Sequence, residues 1–187
     1  MKKISWFMHV SLDGLVSRPN GGIDWVKLDD KMFDLAHLRS QESDVAIYAR
    51  KTFELMESYW PTAASKPNPT KHDLEHSAWY SQVKKYVVSN SWKGRPLANA
   101  SLISDNLIET VAQLKQGDGK NIILFGSPSL GQQLTEAELI DDYWLFINPV
   151  IIGEGAPLFR DIKHQVNLKL EETFTFGGGA IGLHYKK

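Results

Sequence analysis

The chain has 187 residues, no cysteine and 21 Lys and Arg against 22 Asp and Glu, which gives a formal net charge of −1. This length is typical of one domain. The balanced charge argues against a dedicated nucleic-acid-binding protein, which usually carries a basic excess. Because there is no cysteine, disulfides, cysteine-ligated zinc and thiol catalysis are excluded. A local basic pocket for a phosphorylated small molecule stays compatible with this composition.

The amino-terminal residues have only a superficial likeness to a secretory signal. Two lysines precede an apolar run, but Ser5, His9, Ser11 and Asp13 interrupt it, and no small-residue cleavage site follows. No segment approaches the ~20 consecutive apolar residues that a membrane span needs. We therefore expect a cytoplasmic protein with no membrane partner.

The first two thirds of the chain alternate predicted strands and helices. Ile4–Val10 is apolar on both faces, which is typical of a strand buried between two layers. Apolar residues at helical spacing predict a helix over 29–41, with Asp29 or Asp30 as its cap. The other expected strands are 45–48, 86–88, 101–103 and 121–125, and the other expected helices are 51–59, 73–84, 105–114 and 128–134. Prolines 61, 67 and 69 predict an irregular surface excursion.

The last third predicts strands without a long helix between them. These strands are 142–147, 167–176 and 180–185, and three glycines at 177–179 predict a hairpin connection. Alternating strands and helices favour a mainly parallel sheet with both faces covered, to which the tail adds antiparallel strands. We therefore expect one mixed α/β domain over residues 1–187.

Three predicted strand ends carry residues suited to a phosphorylated ligand. After the strand 121–125, Gly126 permits close approach of a ligand and Pro128 stands in the first helical turn, where free N–H groups bind anions. Arg50 and Lys51 open the helix that follows the strand at 45–48, and Ser89 with Asn90 follows the strand 86–88. Each of these is also compatible with an ordinary turn, a solvated basic turn or a common loop. Their shared position at the carboxyl ends of parallel strands, where open α/β sheets bind ligands, favours one binding rim.

Four stretches resemble the dihydrofolate reductase-like superfamily, in particular the reductase domain of bacterial riboflavin deaminase-reductases. They are Ser11-Leu12-Asp13-Gly14, Arg50-Lys51-Thr52-Phe53-Glu54, Val87-Val88-Ser89-Asn90-Ser91, and Phe125-Gly126-Ser127 together with the run from Asn148 to Phe159 that holds Gly153-Glu154-Gly155. Together they span nearly the whole chain. The resemblance implies a three-layer αβα dihydrofolate reductase-like fold with NADPH bound along the rim. No zinc-binding deaminase segment is attached.

The resemblance also assigns expected cofactor contacts. Arg50, Lys51 and Thr52 match one phosphate-contacting turn, Ser89 and Asn90 match the region of the adenosine 2′-phosphate, and the pyrophosphate turn corresponds to Gly126, Ser127, Pro128, Ser129 and Leu130. Val16 and Ser17 would lie beside the nicotinamide. The family usually has glycine where this chain has Ala49, whose methyl group is expected to crowd the ribose or pyrophosphate.

For the substrate side, the resemblance offers two acids. Dihydrofolate reductases hold the pteridine with an acid of the first helix, a few positions after a tryptophan; here Asp29 and Asp30 follow Trp25. The residues themselves favour helix capping for Asp29 and Asp30 over catalysis, and a turn role for Asp13.

His72-Asp73-Leu74-Glu75-His76 matches the H-x-x-E-H pattern of one class of zinc protease. The segment carries little apolar surface, so we expect a solvated helix and no metal site. His9 and His184 lie on predicted strands and are expected to be hydrogen-bonded core histidines.

The resemblance implies an NADPH-dependent reductase, similar to dihydrofolate reductase or 5-amino-6-(5-phosphoribosylamino)uracil reductase, acting on a small pteridine-like or ribosylaminopyrimidine-like heterocycle. The alternatives are a non-catalytic NADP(H)-binding module of the same fold and, more weakly, a zinc hydrolase built on His72 and His76. By analogy with relatives, we expect a homodimer.

Overall fold

Ten strands and five α-helices follow one another along residues 1–187, all of which are described by the computed structural model. The strands are β1 (Ile4–Ser11), β2 (Leu15–Ser17), β3 (Ser43–Ala49), β4 (Lys84–Val88), β5 (Ser101–Ile103), β6 (Asn121–Phe125), β7 (Asp142–Asn148), β8 (Ala156–Pro157), β9 (Lys169–Thr175) and β10 (Ile181–Lys186). The helices are α1 (Asp30–Gln41), α2 (Arg50–Ala63), α3 (Lys71–Gln82), α4 (Leu107–Gln116) and α5 (Pro128–Glu136). A short 3₁₀ helix spans Asn90–Trp92.

Eight of the strands form one sheet in the order β5-β4-β3-β6-β1-β7-β10-β9. The first six strands of that order are mutually parallel, and β10 and β9 are antiparallel to their neighbours. The remaining strands, β2 and β8, pair with each other. The predicted mainly parallel sheet with antiparallel C-terminal strands is therefore confirmed.

Apolar residues cover both faces of the sheet, as the strand patterns predict. On one face, Val111 of α4 and Leu130 and Leu134 of α5 pack into a core with the even-numbered residues of β1. On the other face, Met32 of α1, Phe53 of α2, and Trp79 and Tyr80 of α3 pack into a second core with Phe7 and Trp144. Two helical layers thus enclose the sheet, which confirms the three-layer α/β/α arrangement.

The expected bounds of two helices are wrong. Helix α2 continues to Ala63, so Pro61 lies inside its last turn and not in an irregular excursion. Pro61 has no N–H to donate to the carbonyl four residues back, and the helix ends two residues later. Helix α3 begins at Lys71, because Thr70 and Asp73 form a capping box there. It ends at Gln82, and Lys84 already belongs to β4.

Candidate functional site

The three predicted cofactor turns lie at one edge of the sheet. Ala49, the last residue of β3, is the register partner of Val88 in β4, so the segments beginning at Arg50 and Ser89 leave adjacent strands. On the other side of β3, the Ala49 N–H donates to the Ser127 hydroxyl at 2.9 Å, and that hydroxyl donates to the Phe125 carbonyl at 3.1 Å. The strand order therefore brings all three turns together.

Two helices begin at this edge without a side-chain cap. Neither the side chain of Ala49 before α2 nor that of Ser127 before α5 accepts a hydrogen bond from its helix, whereas the side chains of Asp29 and Thr70 cap α1 and α3. Helix α4 also lacks a side-chain cap, but it carries Glu109 in its first turn. Unpaired N–H groups at a helix start, with the helix dipole behind them, attract anions. The starts of α2 and α5 therefore lie at one edge whose electrostatics suit an anion.

The first turn of α2 carries cations in place of the acidic residues that favour a helix start. Arg50 and Lys51 stand there, and α2 has no acidic residue in that turn. Positive charge at this end opposes the helix dipole, a cost that a bound anion removes. The Arg50 guanidinium contacts both carboxylate oxygens of Glu54 at 3.0 and 3.1 Å on the exposed surface, and such a pair is weak enough to exchange for a phosphate.

The Gly126–Ser127 turn is held in a left-handed conformation. Gly126 has φ 56° and Ser127 has φ 55°. A Cβ at Gly126 would lie 3.4 Å from Cγ2 of Thr52, so the turn and the start of α2 are in close contact. From the other face of the sheet, the Trp6 indole donates to the Gly126 carbonyl at 2.8 Å. The turn is thus fixed before any ligand binds.

A gap opens beside this turn, in the middle of the sheet. Pairing between β1 and β6 ends at Phe7 and Phe125, whereas β1 continues along β7 until Ser11 pairs with Asn148. Residues 8–11 therefore pair on one side only. The unpaired side of β1 faces the position where β6 ends and the chain turns at Gly126.

The two most specific motifs of the chain pack against each other at the end of β1. Asp13 accepts hydrogen bonds from the N–H groups of Gly153 and Ile152 at 2.8 and 3.3 Å. The Ser11 hydroxyl, and then these backbone donors, lower the pKa of Asp13. A Cβ on Gly155 would lie 1.9 Å from the Ser17 carbonyl oxygen, so only glycine fits beside β2. The two motifs thus fix the loop that carries Ser17.

The remaining expected contacts differ in accessibility. Val16 is buried in the core of the α4 and α5 face, so its side chain is enclosed by the protein. Ser89 is buried and its hydroxyl lies 3.1 Å from that of Ser91. Lys51, Asn90 and Ser129 are exposed.

Asp29 has a structural role. One carboxylate oxygen accepts from the Met32 N–H at 2.9 Å and caps α1, and the other accepts from the Gly177 N–H at 2.6 Å, which fastens the hairpin between β9 and β10. Asp30 is exposed at the first position of α1. The capping expected of Asp29 is confirmed, and a catalytic role for Asp29 or Asp30 stays a prediction.

Asn148, at the end of β7, lies on the other side of the gap from β6. Its side chain is fully buried, accepts from the Lys27 N–H at 2.8 Å and donates to the Phe146 carbonyl at 2.9 Å. It thereby ties the segment that leads into α1 to the end of β7. The sequence offers a signal for this role, since an amide ends an otherwise apolar strand.

The histidine expectations are partly wrong. His184 is hydrogen-bonded as expected, with Nε2 at 2.7 Å from Asp142, but Nδ1 of His9 is enclosed without a partner. Helix α3 is not a solvated helix, because His76 is buried between Trp60 and Trp79. No group of three or more His, Cys, Asp or Glu side chains in the structure has the arrangement to hold a metal ion.

Two concave surfaces lie away from the gap. An apolar pocket of about 210 Å³ beside Tyr143 and Phe159 contains no charged residue, so it does not suit a phosphorylated ligand. A groove of about 450 Å³ runs along α2 and is lined by Glu54, Trp92 and Arg95. No helix in the structure has the length and apolar character required to cross a lipid bilayer.

The comparisons with known proteins agree with this architecture. The family model described as the RibD C-terminal domain matches residues 2–181, and the chain belongs to that family. It is 36% identical over 186 residues, which is 98% of this chain and 94% of the relative, to the uncharacterized protein YyaP of Bacillus subtilis (strain 168).

Solved structures extend the likeness to the fold. The crystal structure of a riboflavin biosynthesis protein from Shewanella sp. PV-4 matches 100% of this chain and 98% of its own, with a TM-score of 0.71 and 19% identity. A diaminohydroxyphosphoribosylaminopyrimidine deaminase/5-amino-6-(5-phosphoribosylamino)uracil reductase from Thermotoga maritima has a TM-score of 0.69 and 15% identity, over 99% of this chain and 56% of its own. The family and these neighbours support a reductase-type function.

Proposed function

We propose that the protein is an NADPH-dependent reductase of a small heterocyclic substrate, pteridine-like or ribosylaminopyrimidine-like. The observation that carries the proposal is the edge where two uncapped helix starts, one bearing Arg50 and Lys51, adjoin the gap between β1 and β6. Family membership supports the reductase class. A cytoplasmic homodimer is part of the same proposal.

The residues at this edge fit NADPH. The Ser129 N–H in the first turn of α5, and the N–H groups of α2 beyond Ala49, would hold the pyrophosphate. Arg50, with its planar fork, and Ser89 would hold the 2′-phosphate. The gap at residues 8–11 would receive the nicotinamide, with Ser17 on the opposite side.

When bound, NADPH supplies a hydride. The chain's own part is to orient the two rings and to exclude water, because the reducing chemistry belongs to the cofactor. The Ser127 hydroxyl, which bonds both the Ala49 N–H and the Phe125 carbonyl, keeps the ends of β3 and β6 at a fixed separation. Asn148 holds the segment before α1 against the end of β7. A proton for the substrate comes from solvent or from Asp30, whose carboxylate is exposed at the start of α1.

NADPH binding tests the cofactor half of the proposal. We expect NADPH to quench tryptophan fluorescence, and Arg50→Ala to weaken binding roughly 10- to 100-fold, because charged hydrogen bonds contribute ~1.5–3 kcal/mol. Arg160→Ala, at an exposed arginine outside the edge, is the matched control. An absence of quenching at millimolar NADPH, or equal affinity in both variants, would exclude this site.

One observation favours a second candidate, a non-catalytic NADP(H)-binding module. Both carboxylate oxygens of Asp29 are occupied by structural hydrogen bonds, so Asp29 is not free to hold a substrate. NADPH oxidation in the presence of dihydrofolate or the ribosylaminopyrimidine distinguishes the two functions. If the protein turns over, Asp30→Asn lowers kcat when Asp30 supplies the proton, whereas Asp29→Asn preserves the cap and changes kcat little.

A further inference from the structure

His9 lies beside the gap, on the face of the sheet that carries α1. It is two residues beyond Phe7, the last residue of β1 to pair with β6, and strand alternation places its ring on the same face as that of Phe7. The His9 ring stacks on Phe146 of β7 with the centroids 5.1 Å apart. Phe7 lies 5.4 Å from Phe125 and 6.2 Å from Phe146 between ring centroids. His9 is therefore the polar member of an aromatic wall next to the cofactor edge.

The His9 ring forms no hydrogen bond with the protein. Its Nδ1 is fully enclosed without a partner, whereas Nε2, which also lacks a partner, is not among the fully enclosed atoms. Burial lowers the pKa of His9 to about 4, and the ring is neutral at pH 7. A neutral imidazole offers one N–H donor and one acceptor nitrogen.

The other buried histidines do not share this arrangement. His184 uses Nε2 to contact Asp142, at the opposite end of β7. Both nitrogens of His76 lack partners, but both are fully enclosed, because the ring packs among Trp60, Trp79 and Phe125. His9 combines a free ring nitrogen with a position on β1 beside the gap.

We propose that His9 is a substrate-contacting, specificity-determining residue, which uses Nε2 to hydrogen-bond the polar edge of the substrate ring. This inference rests on the proposed function. A site built around an enclosed polar group rejects analogues that leave that group unpaired. His9 therefore selects rings with a hydrogen-bonding edge on the β7 side, and it does not select for the cofactor.

Amide substitutions distinguish the two ring nitrogens. Glutamine places its amide near the position of Nε2, whereas asparagine reaches only that of Nδ1. With dihydrofolate and the ribosylaminopyrimidine as alternative substrates, we expect His9→Phe and His9→Asn to raise KM at least tenfold and His9→Gln to restore most of it. The Kd for NADPH should change less than twofold in all three. His164→Phe, in an exposed loop, is the matched control. An unchanged KM in His9→Phe would overturn the inference.

A direct readout needs neither turnover nor a variant that folds. In wild-type protein labelled with ¹⁵N-histidine, we expect saturating dihydrofolate or ribosylaminopyrimidine to shift the His9 Nε2 resonance and to leave that of His164 unchanged. If neither probe moves Nε2, the inference is wrong. If NADPH fails to bind while a probe still shifts Nε2, the proposed function fails and the assignment of His9 stands.

Discussion

The Ser127 hydroxyl offers the sharpest test of how the cofactor edge is built. It accepts from the Ala49 N–H and donates to the Phe125 carbonyl, so it joins the ends of β3 and β6 while its own backbone is in the left-handed region at φ 55°. Ser127→Ala removes both bonds and keeps the backbone strain. Ser127→Gly removes the same bonds but relieves the strain, since glycine adopts positive φ without penalty.

The expected losses follow from these two terms. A half-buried N–H left without a partner costs about 1–3 kcal/mol, so Ser127→Ala should lower the free energy of unfolding by that amount. For a chain of this size the loss corresponds to a fall in Tm of about 3–10 °C. Ser127→Gly should be about 1 kcal/mol more stable than Ser127→Ala, because a left-handed alanine costs roughly that much. Both variants should weaken NADPH binding, since both remove the hydrogen bonds that join the ends of β3 and β6.

Urea unfolding and calorimetry measure the stabilities, and fluorescence quenching measures NADPH affinity. Ser129→Ala is the stability control, because that side chain is exposed two residues further along the chain. Its loss should change the free energy of unfolding by less than about 0.5 kcal/mol. The reasoning is refuted if Ser127→Ala is as stable as wild type, or if Ser127→Gly is the less stable of the pair.

Three further changes test separate parts of the structure. Gly131→Ala would place a Cβ 2.1 Å from the Trp6 ring, so we expect a loss of about 1–3 kcal/mol in thermal unfolding, and an unchanged Tm would contradict the packing. Ala49→Gly removes the methyl group that departs from the family pattern, and fluorescence titration should show a lower Kd for NADPH; a higher Kd would show that the methyl group does not crowd the cofactor. Burial lowers the pKa of His76 to about 3, so between pH ~6.5 and 3 the unfolded chain binds more protons than the folded chain. The free energy of unfolding therefore falls as the pH falls, by up to ~1.4 kcal/mol per pH unit. His76→Phe should lack that contribution, and equal pH slopes of the two proteins in urea unfolding would refute it.

Local patterns predicted the parts of the site that depend on strand ends. Gly126, Arg50 and Ser89 each follow an apolar strand, and parallel pairing necessarily places such ends at one edge. The capping role of Asp29 was likewise predictable, because a cap is a contact within three residues. Its second bond, to the Gly177 N–H, depends on the docking of a distant hairpin, and no local pattern indicates it.

The incorrect expectations concern residues whose surroundings come from distant segments. His76 lies on a helix with a weak apolar pattern, and it is buried because α2 places Trp60 over it. His9 alternates correctly along β1, but its lack of a partner depends on Phe146, which is far away in sequence. Sequence periodicity predicts which face of a strand or helix a side chain occupies. It carries no information about whether a hydrogen-bond partner is present on that face.

The gap beside β1 separates two groups of contacts that share no hydrogen-bond partner. On the β6 side, Ser127 joins Ala49 to Phe125; on the β7 side, Asn148 joins Lys27 to Phe146, and His9 stacks on Phe146. Changes at sites without shared partners usually add in free energy. A variant that combines Ser127→Ala with His9→Phe should therefore show the NADPH affinity of the first and the substrate KM of the second. Strong coupling between them would mean that the substrate and the cofactor are held by one network that spans the gap.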